Sequence, residues 1–221
     1  MTSDVPADAP PRPTQSPAQP GWVLGAVLAA GAGRRFGGPK ALSRDSDGVP
    51  WVHLATTAHL AGGLPRVVVV LGAEYDAARE LLPHDPRITA VIAHDWGRGQ
   101  SASLAAALRA AESTDASAIL VTLVDLPGLP PSSVARLLET AVRAGLHRAL
   151  AQATFDGRPG HPVVVGRDHW AALVASLGGD SGARDYVRAH DAEFVECGDL
   201  GDGTDVDTRD AVTPAPRRAP H

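Results

Sequence analysis

Residues 22–40 read WVLGAVLAAGAGRRFGGPK, and this stretch carries the two features that decide the fold. Its first nine residues are apolar and show no polar alternation, which is typical of a strand buried on both faces of a sheet. Glycines and cations follow at once, where that strand is expected to end. Three further short apolar segments have the same character, at 67–71, 88–93 and 118–124.

Segments with helical patterns alternate with these strands, at 51–60, 74–82, 103–111 and 132–144. This alternation predicts an α/β fold, a single three-layer Rossmann-like domain whose mainly parallel sheet is covered by helices on both faces. Pro130 and Pro131 precede the last helix, where Ser132 or Ser133 is placed as an N-cap. Ligands of such sheets bind outside the carboxyl ends of the strands, so we expect the functional side chains there.

Composition limits the function classes that are open to the chain. Its 221 residues carry 20 Lys and Arg against 25 Asp and Glu, a formal net charge of −5. General nucleic-acid or anionic-membrane binding requires a net basic face, so we expect neither. The single cysteine cannot form an internal disulfide, and no cysteine cluster could hold zinc. No apolar stretch reaches the length of a membrane span and no signal-peptide pattern is present, so we expect a soluble, cytoplasmic protein.

Both ends of the chain are expected to be disordered tails. Residues 1–20 contain six prolines among small and polar residues, and residues 213–221 contain three more. Such segments bury too little apolar surface to offset the entropy of ordering them. The sequence therefore predicts one folded domain at 21–212, without internal repeats.

The glycine-rich segment 31–40 is interpreted as a polyphosphate cradle. Glycines permit positive φ angles and allow backbone amides to converge on an anion. Arg34, Arg35 and Lys40 add three cations within seven residues, on what we expect to be an exposed loop. A solvated basic turn is the alternative, but glycines and cations directly after a buried strand favour the cradle.

Two established phosphate-binding fingerprints do not fit this segment. In the Walker A pattern, Pro39 stands where the lysine belongs. The dinucleotide fingerprint begins correctly at Gly31 and Gly33, but Phe36 occupies the position of the third glycine. The second strand also lacks the acidic residue that would hold a ribose, so neither fingerprint is present.

Acidic residues at two places are candidate metal ligands. Asp125 follows the buried strand 118–124, where its carboxylate would face the same crevice as the glycine-rich loop. Mg²⁺ prefers one or two carboxylates together with phosphate oxygens and water. Asp205 and Asp207 lie in the acidic segment 203–210. We expect only one of them to contact the metal, and the sequence does not decide which. A turn-starting role for Asp125 and a solvated turn at 203–210 are the alternatives.

Three shorter motifs are further candidates. Residues 97–104, GRGQSASL, precede an alanine-rich helix that Ser101 or Ser103 could cap, and a helix N-terminus at the crevice would favour phosphate. Residues 158–162, RPGHP, lie between two predicted strands, and residues 179–184, GDSGAR, lead into a short helix. A solvent-exposed loop histidine and an ordinary connecting loop are the alternatives for the last two motifs.

The order of these motifs resembles the molybdenum-cofactor cytidylyltransferase family, an NTP transferase family in which some relatives are labelled nicotine blue oxidoreductases. The pattern L-A-A-G-x-G-x-R-x-G-x-x-K at 28–40 carries the resemblance, with D-x-P at Asp125 and the motifs at 158–162, 179–184 and 203–210. It covers nearly all of 24–212 and implies a nucleotidyltransferase domain. The nucleotide-binding residues that it implies are Leu28, Ala29, Ala30, Gly31, Gly33, Arg34, Ser101 and Ser103.

The resemblance also implies catalytic roles. Arg35 and Lys40 would neutralise the triphosphate, and Asp125 with Asp205 or Asp207 would hold Mg²⁺. The acceptor-binding residues that it implies are Gly160, His161, Asp180 and Arg184. Arg209 and Ala211 depart from the family ending D-[IV]-D-T-P-E-D, which weakens the metal role of that segment only slightly.

The substrates are implied by the same resemblance. An LAAG loop accompanies cytidine use in the family, whereas LAGG accompanies guanosine use, so the loop indicates CTP. The implied acceptor is a phosphorylated pterin, the molybdopterin cofactor, and the implied protein partner is a molybdenum enzyme or its chaperone. CMP would be transferred and pyrophosphate released.

Two alternatives from other classes are open at this point. One is an NAD(P)-dependent oxidoreductase of the nicotine-blue type, against which Phe36 and the missing ribose carboxylate count. The other is a non-catalytic cofactor-binding protein that has kept the pocket. The joint presence of Arg35, Lys40 and Asp125 counts against this second alternative, because a carrier would not need the metal position.

Overall fold

The computed structural model describes residues 21–178 and 182–206. The predicted tails and the predicted site residues Asp180 and Asp207 lie outside the described residues. The strands are β1 Val23–Ala29, β2 Arg66–Leu71, β3 Ile88–Ile92, β4 Ala118–Leu123, β5 Leu150–Phe155, β6 Arg158–Gly166 and β7 Glu193–Glu196. The α-helices are α1 Trp51–Ala61, α2 Tyr75–Glu80, α3 Gln100–Glu112, α4 Pro131–Ala144, α5 Arg167–Ser176 and α6 Arg184–Ala189. Short 3₁₀ helices cover Lys40–Leu42, Trp96–Arg98 and Leu146–Arg148.

The strands form one sheet in the order β3-β2-β1-β4-β6-β5-β7. The pairs β1–β2, β1–β4, β2–β3 and β5–β7 are parallel, whereas β6 runs antiparallel to both β4 and β5. The predicted α/β domain with a mainly parallel sheet is confirmed. Among the described residues, no helix has the length and apolar character that crossing a membrane requires.

Strand β1 lies in the middle of the parallel part of the sheet, and all seven of its residues are buried. Its alternate residues pack into different cores: Leu24, Ala26 and Leu28 contact the helices on one face, and Val27 and Ala29 contact those on the other. The continuous apolar run at the start of the domain therefore follows from burial on both faces.

The carboxyl ends of β1, β2 and β4 meet at one edge of the sheet. Two backbone hydrogen bonds extend the pairing beyond the strands, from Ala73 N to Ala30 O at 3.0 Å and from Val124 N to Leu28 O at 3.1 Å. The glycine-rich loop and Asp125 both leave the sheet at this edge. Strand order thus brings together two segments that are far apart in sequence.

Three local expectations are wrong. Helix α4 begins at Pro131 after an N-cap Pro130 and carries no side-chain cap, because proline at the first position supplies the required φ. Helix α3 begins at Gln100, earlier than predicted, because Gly99 at φ 105° turns the chain into the helix; neither Ser101 nor Ser103 caps it. Strand β3 is only partly buried, because it pairs with β2 alone at the edge of the sheet.

Candidate active site

The loop after β1 closes on itself at Gly33. The backbone amides of Gly37 and Gly38 donate to Gly33 O at 2.9 and 3.1 Å. Gly33 has a φ of +56°, and a Cβ there would lie 1.9 Å from the carbonyl oxygen of Gly38, so only glycine fits. The turn leaves Arg34 and Arg35 exposed beside the carboxyl end of the sheet.

Phe36 anchors this loop to α1 through hydrophobic packing. Its side chain is buried, and its ring packs against Trp51 of α1 with centroids 5.5 Å apart. Lys40 Nζ lies 5.7 Å from the centroid of the Phe36 ring. The position where a dinucleotide fold needs a small glycine is therefore an aromatic anchor in this protein.

Lys40 and Asp125 form the central ion pair of the site. Lys40 Nζ donates to Asp125 Oδ2 at 2.8 Å, and the two side chains are only 16% and 15% exposed. The expectation of an exposed position for Lys40 is wrong, because the 3₁₀ helix Lys40–Leu42 turns inward and Asp125 draws in the ammonium group. The other carboxylate oxygen, Asp125 Oδ1, is buried without a hydrogen-bond partner. A buried acceptor without a partner is costly and marks a place where a cation or a donor would bind.

The acidic segment near the end of the described chain lies beside Asp125. Val206 N donates to Asp125 O at 2.9 Å. The path of this segment depends on Phe155, the buried last residue of β5: a Cβ at Gly203 would lie 2.2 Å from the Phe155 ring, and one at Gly160 would lie 3.0 Å from it. Phe155 thus packs between the two glycines and holds two site segments close to each other.

His161 lies within β6, partly buried, so the alternative of a solvent-exposed loop histidine is wrong. Its Nδ1 lies 3.3 Å from Val121 O. Burial lowers the pKa of His161, while the negative charges of Asp125 and Asp205 act to raise it and Arg184 acts to lower it further. His161 therefore lies in the electrostatic field of Asp125 and Asp205, the two candidate metal ligands among the described residues.

Two cavities adjoin at this edge of the sheet and share the wall residues Leu28, Gln100 and Leu123. One of about 520 Å³, here the loop cavity, is lined by predicted site residues. They are Leu28, Ala29, Ala30, Gly31, Gly33, Arg34, Arg35, Lys40, Ser103 and Asp125. Ser101 is instead buried, with its Oγ unpartnered.

The second cavity, of about 480 Å³ and here the β6 cavity, is lined by the predicted acceptor residues Gly160, His161 and Arg184, and by Asp205. Much of its remaining wall is aliphatic, from β4, β6 and α6. The structure therefore separates the two predicted groups of ligand-binding residues into neighbouring compartments, with the Asp125 pair next to their common wall.

The donor set at Asp125 suits a hard divalent cation of the Mg²⁺ type. Within 21–178 and 182–206, no group of three His, Cys, Asp or Glu residues could hold a metal ion by itself. Mg²⁺ does not require such a cage, because it takes one or two carboxylates and completes its shell with phosphate oxygens and water. The unpartnered Oδ1 of Asp125 and the nearby Asp205 are chemically appropriate for that arrangement.

Sequence reasoning missed three residues of the site. Trp96 and Gln100 line the loop cavity, and Phe155 positions the acidic segment. The aromatic residue directly before the glycine-rich run 97–99 was an available signal for Trp96. Phe155 looked like any other strand residue, because only packing with Gly160 and Gly203 gives it a special position.

A glycine-rich loop and a strand-end aspartate at the edge of a mainly parallel sheet are typical of nucleotide-binding α/β domains. Residues 25–194 match the MobA-like NTP transferase domain, and the chain belongs to this family of nucleotidyltransferase domains.

The chain is similar to several named proteins along most of its length. It is 39% identical over 194 residues to nicotine blue oxidoreductase of Paenarthrobacter nicotinovorans, covering 84% of this chain and 92% of that protein. It is 28% identical over 201 residues to purine catabolism protein PucB of Bacillus subtilis strain 168, covering 85% and 92%. Its structure is similar to that of the Mycobacterium tuberculosis Rv0371c homologue from Mycobacterium sp. strain JC1, with a TM-score of 0.70, 29% identity and coverage of 85% and 91%.

Proposed function

We propose that this protein is a Mg²⁺-dependent cytidylyltransferase that transfers CMP from CTP to a phosphorylated pterin of the molybdopterin type and releases pyrophosphate. The observation that carries the proposal is the Lys40–Asp125 ion pair, in which Asp125 Oδ1 is buried without a hydrogen-bond partner. This pair lies beside a glycine-rich loop with two exposed arginines. Family membership supports a nucleoside triphosphate as substrate. The LAAG form of the loop supports the choice of CTP.

The reaction needs no nucleophile from the protein. A phosphate oxygen of the acceptor attacks the α-phosphorus of CTP, the bond to the α–β bridging oxygen breaks, and pyrophosphate leaves with the electron pair. The protein contributes position and charge neutralisation, which dominate catalysis of such transfers. Arg35 and Lys40 contact the β- and γ-phosphates, and Asp125 with Asp205 or Asp207 holds Mg²⁺, which when bound neutralises charge on the phosphate oxygens.

Entry of the triphosphate changes the partner of Lys40. Its ammonium group exchanges Asp125 Oδ2 for a phosphate oxygen, which makes both carboxylate oxygens available as ligands. In the adjoining β6 cavity, Arg184 binds the acceptor phosphate through its guanidinium group, and the aliphatic wall contacts the ring system. The acceptor phosphate then reaches the α-phosphorus where the two cavities adjoin.

A pyrophosphate-release assay tests the proposal. The purified protein is incubated with molybdopterin and each of CTP, GTP, ATP and UTP, with and without Mg²⁺. We expect release with CTP only when both Mg²⁺ and the acceptor are present, and we expect Asp125→Asn to slow it by roughly a hundredfold or more. Absence of release with all four triphosphates would contradict transfer to molybdopterin, and release with GTP in preference to CTP would contradict the cytidine assignment.

A second candidate, an NAD(P)-dependent oxidoreductase of the nicotine-blue type, is favoured by the 39% identity to the protein of that name over 92% of its length. The buried Phe36 anchor counts against a dinucleotide loop of the usual form. Fluorescence titration with NADPH and with CTP–Mg²⁺ separates the two functions. Tight NADPH binding, together with consumption of NADPH when nicotine blue is added, would favour the oxidoreductase.

A further inference from the structure

Trp96 presents an aromatic surface that the proposed mechanism does not use. It is the first residue of the 3₁₀ helix between β3 and α3, and it lines the loop cavity together with Gly31, Gln100 and Asp125. Its side chain is only partly buried. The cavity therefore has a planar aromatic group in its wall as well as the cations of the loop.

The backbone around Trp96 holds the indole in place. Trp96 N donates to Ala93 O at 3.1 Å, and Gly99 N donates to Trp96 O at 3.1 Å. Gly72 lies under the ring: a Cβ at Gly72 would be 2.6 Å from Trp96 Cγ and 2.7 Å from Ala30 O. The missing side chain at Gly72 thus lets the indole pack directly against the backbone that follows β2, beside Ala30.

We infer that Trp96 forms one wall of the nucleobase slot and stacks against the base of the nucleoside triphosphate. The inference rests on the proposed function, since it assigns a role within the same cavity. Arg34, Arg35 and Lys40 recognise phosphate charge and do not distinguish a nucleotide from inorganic polyphosphate. An aromatic face does, because every base has a π-face that stacks on it, and one such contact contributes about tenfold or more to affinity.

The four tryptophans of the chain make this contact measurable. Trp51 and Trp170 are 1% and 2% exposed in the core, and neither lines the loop cavity. Trp22 precedes β1 at the opposite end of the strand, where its Nε1 donates to Asp115 at 2.9 Å. A change in intrinsic fluorescence on nucleotide binding is assigned to Trp96 by its loss in Trp96→Phe, and Trp22→Phe is a matched control.

The test compares CTP with inorganic tripolyphosphate on the full chain. Affinities are measured by calorimetry for the wild type, Trp96→Leu, Trp96→Phe and Trp22→Phe, and tryptophan fluorescence is followed in the same titrations. We expect CTP, but not tripolyphosphate, to quench the wild type and Trp22→Phe, and we expect Trp96→Phe to lose the quenching. Trp96→Leu should bind CTP about tenfold or more weakly and bind tripolyphosphate as the wild type does, while Trp96→Phe should retain most of the CTP affinity.

Three outcomes would overturn the inference. Wild-type CTP affinity in Trp96→Leu would show that the indole does not contact the base. An equal loss of CTP and tripolyphosphate affinity would show that Trp96 only supports the loop. If the wild type binds neither ligand, the proposed function itself fails, and the inference fails with it. If the wild type binds both ligands and Trp96→Leu binds CTP equally well, only the stacking role is contradicted.

Discussion

Asp125 shows most directly how single residues prepare this site for a charged ligand. One of its oxygens is held by Lys40, and the other is buried without a partner. A buried polar atom without a hydrogen bond costs about 1–3 kcal/mol, and such a cost is maintained at functional sites where a ligand removes it. The pair is therefore suited to exchange its internal contacts for contacts with a metal and a triphosphate.

Asp125→Asn separates catalysis from binding. The substitution removes one formal charge from the proposed metal shell and retains the size of the side chain. We expect turnover in the pyrophosphate assay to fall by roughly a hundredfold or more, with a much smaller change in CTP affinity, because charge stabilisation is realised mainly in the transition state. Asp76→Asn on the exposed face of α2 is the control. Full activity of Asp125→Asn would exclude Asp125 from the mechanism.

Arg35→Ala tests the phosphate contact at a position where stability is not at issue. The side chain is exposed, in contrast to that of Lys40, so the fold should be unaffected. Loss of a charge-assisted contact costs about 1.5–3 kcal/mol, and CTP should bind roughly ten- to a hundredfold more weakly in calorimetry. Arg79→Ala, an exposed arginine of α2, should leave the affinity unchanged. Wild-type affinity in Arg35→Ala would contradict the cradle.

Two sets of contacts position the secondary-structure elements around the β6 cavity. Phe155 packs against Gly160 and Gly203, and Glu196 binds the turn between β5 and β6. Glu196, at the end of β7, accepts hydrogen bonds from Thr154 Oγ1 and from the backbone amides of Gly198, Gly157 and Asp156. These bonds fix the turn between β5 and β6, and β6 carries His161. The geometry of the β6 cavity thus depends on contacts outside it.

Gly203→Ala tests this dependence. Gly203 has a φ of +61°, and a Cβ there would lie 2.2 Å from the Phe155 ring, so the segment that carries Asp205 must shift. We expect weaker Mg²⁺ binding and lower turnover with little loss of thermal stability, since the segment lies at the edge of the core. Gly201→Ala is the matched control, because its Cβ would meet only Pro130 at 3.3 Å. Equal behaviour of the two variants would mean that the segment does not contribute to the metal site.

Glu196 predicts a pH dependence of stability. Its hydrogen bonds, that from Thr154 first, lower its pKa from 4.5 to about 2. An acid with a lowered folded-state pKa stabilises the fold fully above its unfolded-state value, and the contribution is lost as pH falls from 4.5 towards about 2. Glu196→Gln should therefore have a lower Tm at neutral pH and a flatter Tm profile across that acidic range. Glu193→Gln, on the exposed part of β7, should follow the wild type.

Ligand binding is expected to raise the thermal stability of the whole domain, because the ligand binds only the folded state. A ligand at 100 times its Kd adds about 2.7 kcal/mol, which corresponds to a rise in Tm of roughly 5–10 °C for a domain of this size. If the protein uses cytidine as proposed, CTP with Mg²⁺ should raise Tm more than GTP with Mg²⁺ does. The measurement is a thermal-shift screen. A larger Tm shift with GTP than with CTP would indicate that the protein uses guanosine nucleotides.

Local patterns were sufficient to predict the class of the fold and the position of the site. A nine-residue apolar run predicts a strand buried on both faces, and glycines with cations after it predict an anion-binding turn, because both depend on neighbours in sequence. The same reasoning predicted that Asp125 ends a strand at the crevice. It misplaced the starts of α3 and α4, since several residues close together could each begin a helix and the backbone at Gly99 and Pro131 decided between them.

Sequence patterns alone therefore predicted β1 to β4, α1 to α4, their order along the chain and the chemical character of the loop, whereas α5 and β7 were not predicted. Three features appeared only in the folded protein: β6 enters the sheet antiparallel, Lys40 pairs with Asp125 across 85 positions, and Val206 N donates a hydrogen bond to Asp125 O. This is because hydrophobic periodicity and runs of glycine carry information only about residues that are close in sequence. Contacts between distant residues depend on strand order and on close packing such as that of Phe155 with Gly160 and Gly203, which exist only once the sheet has assembled.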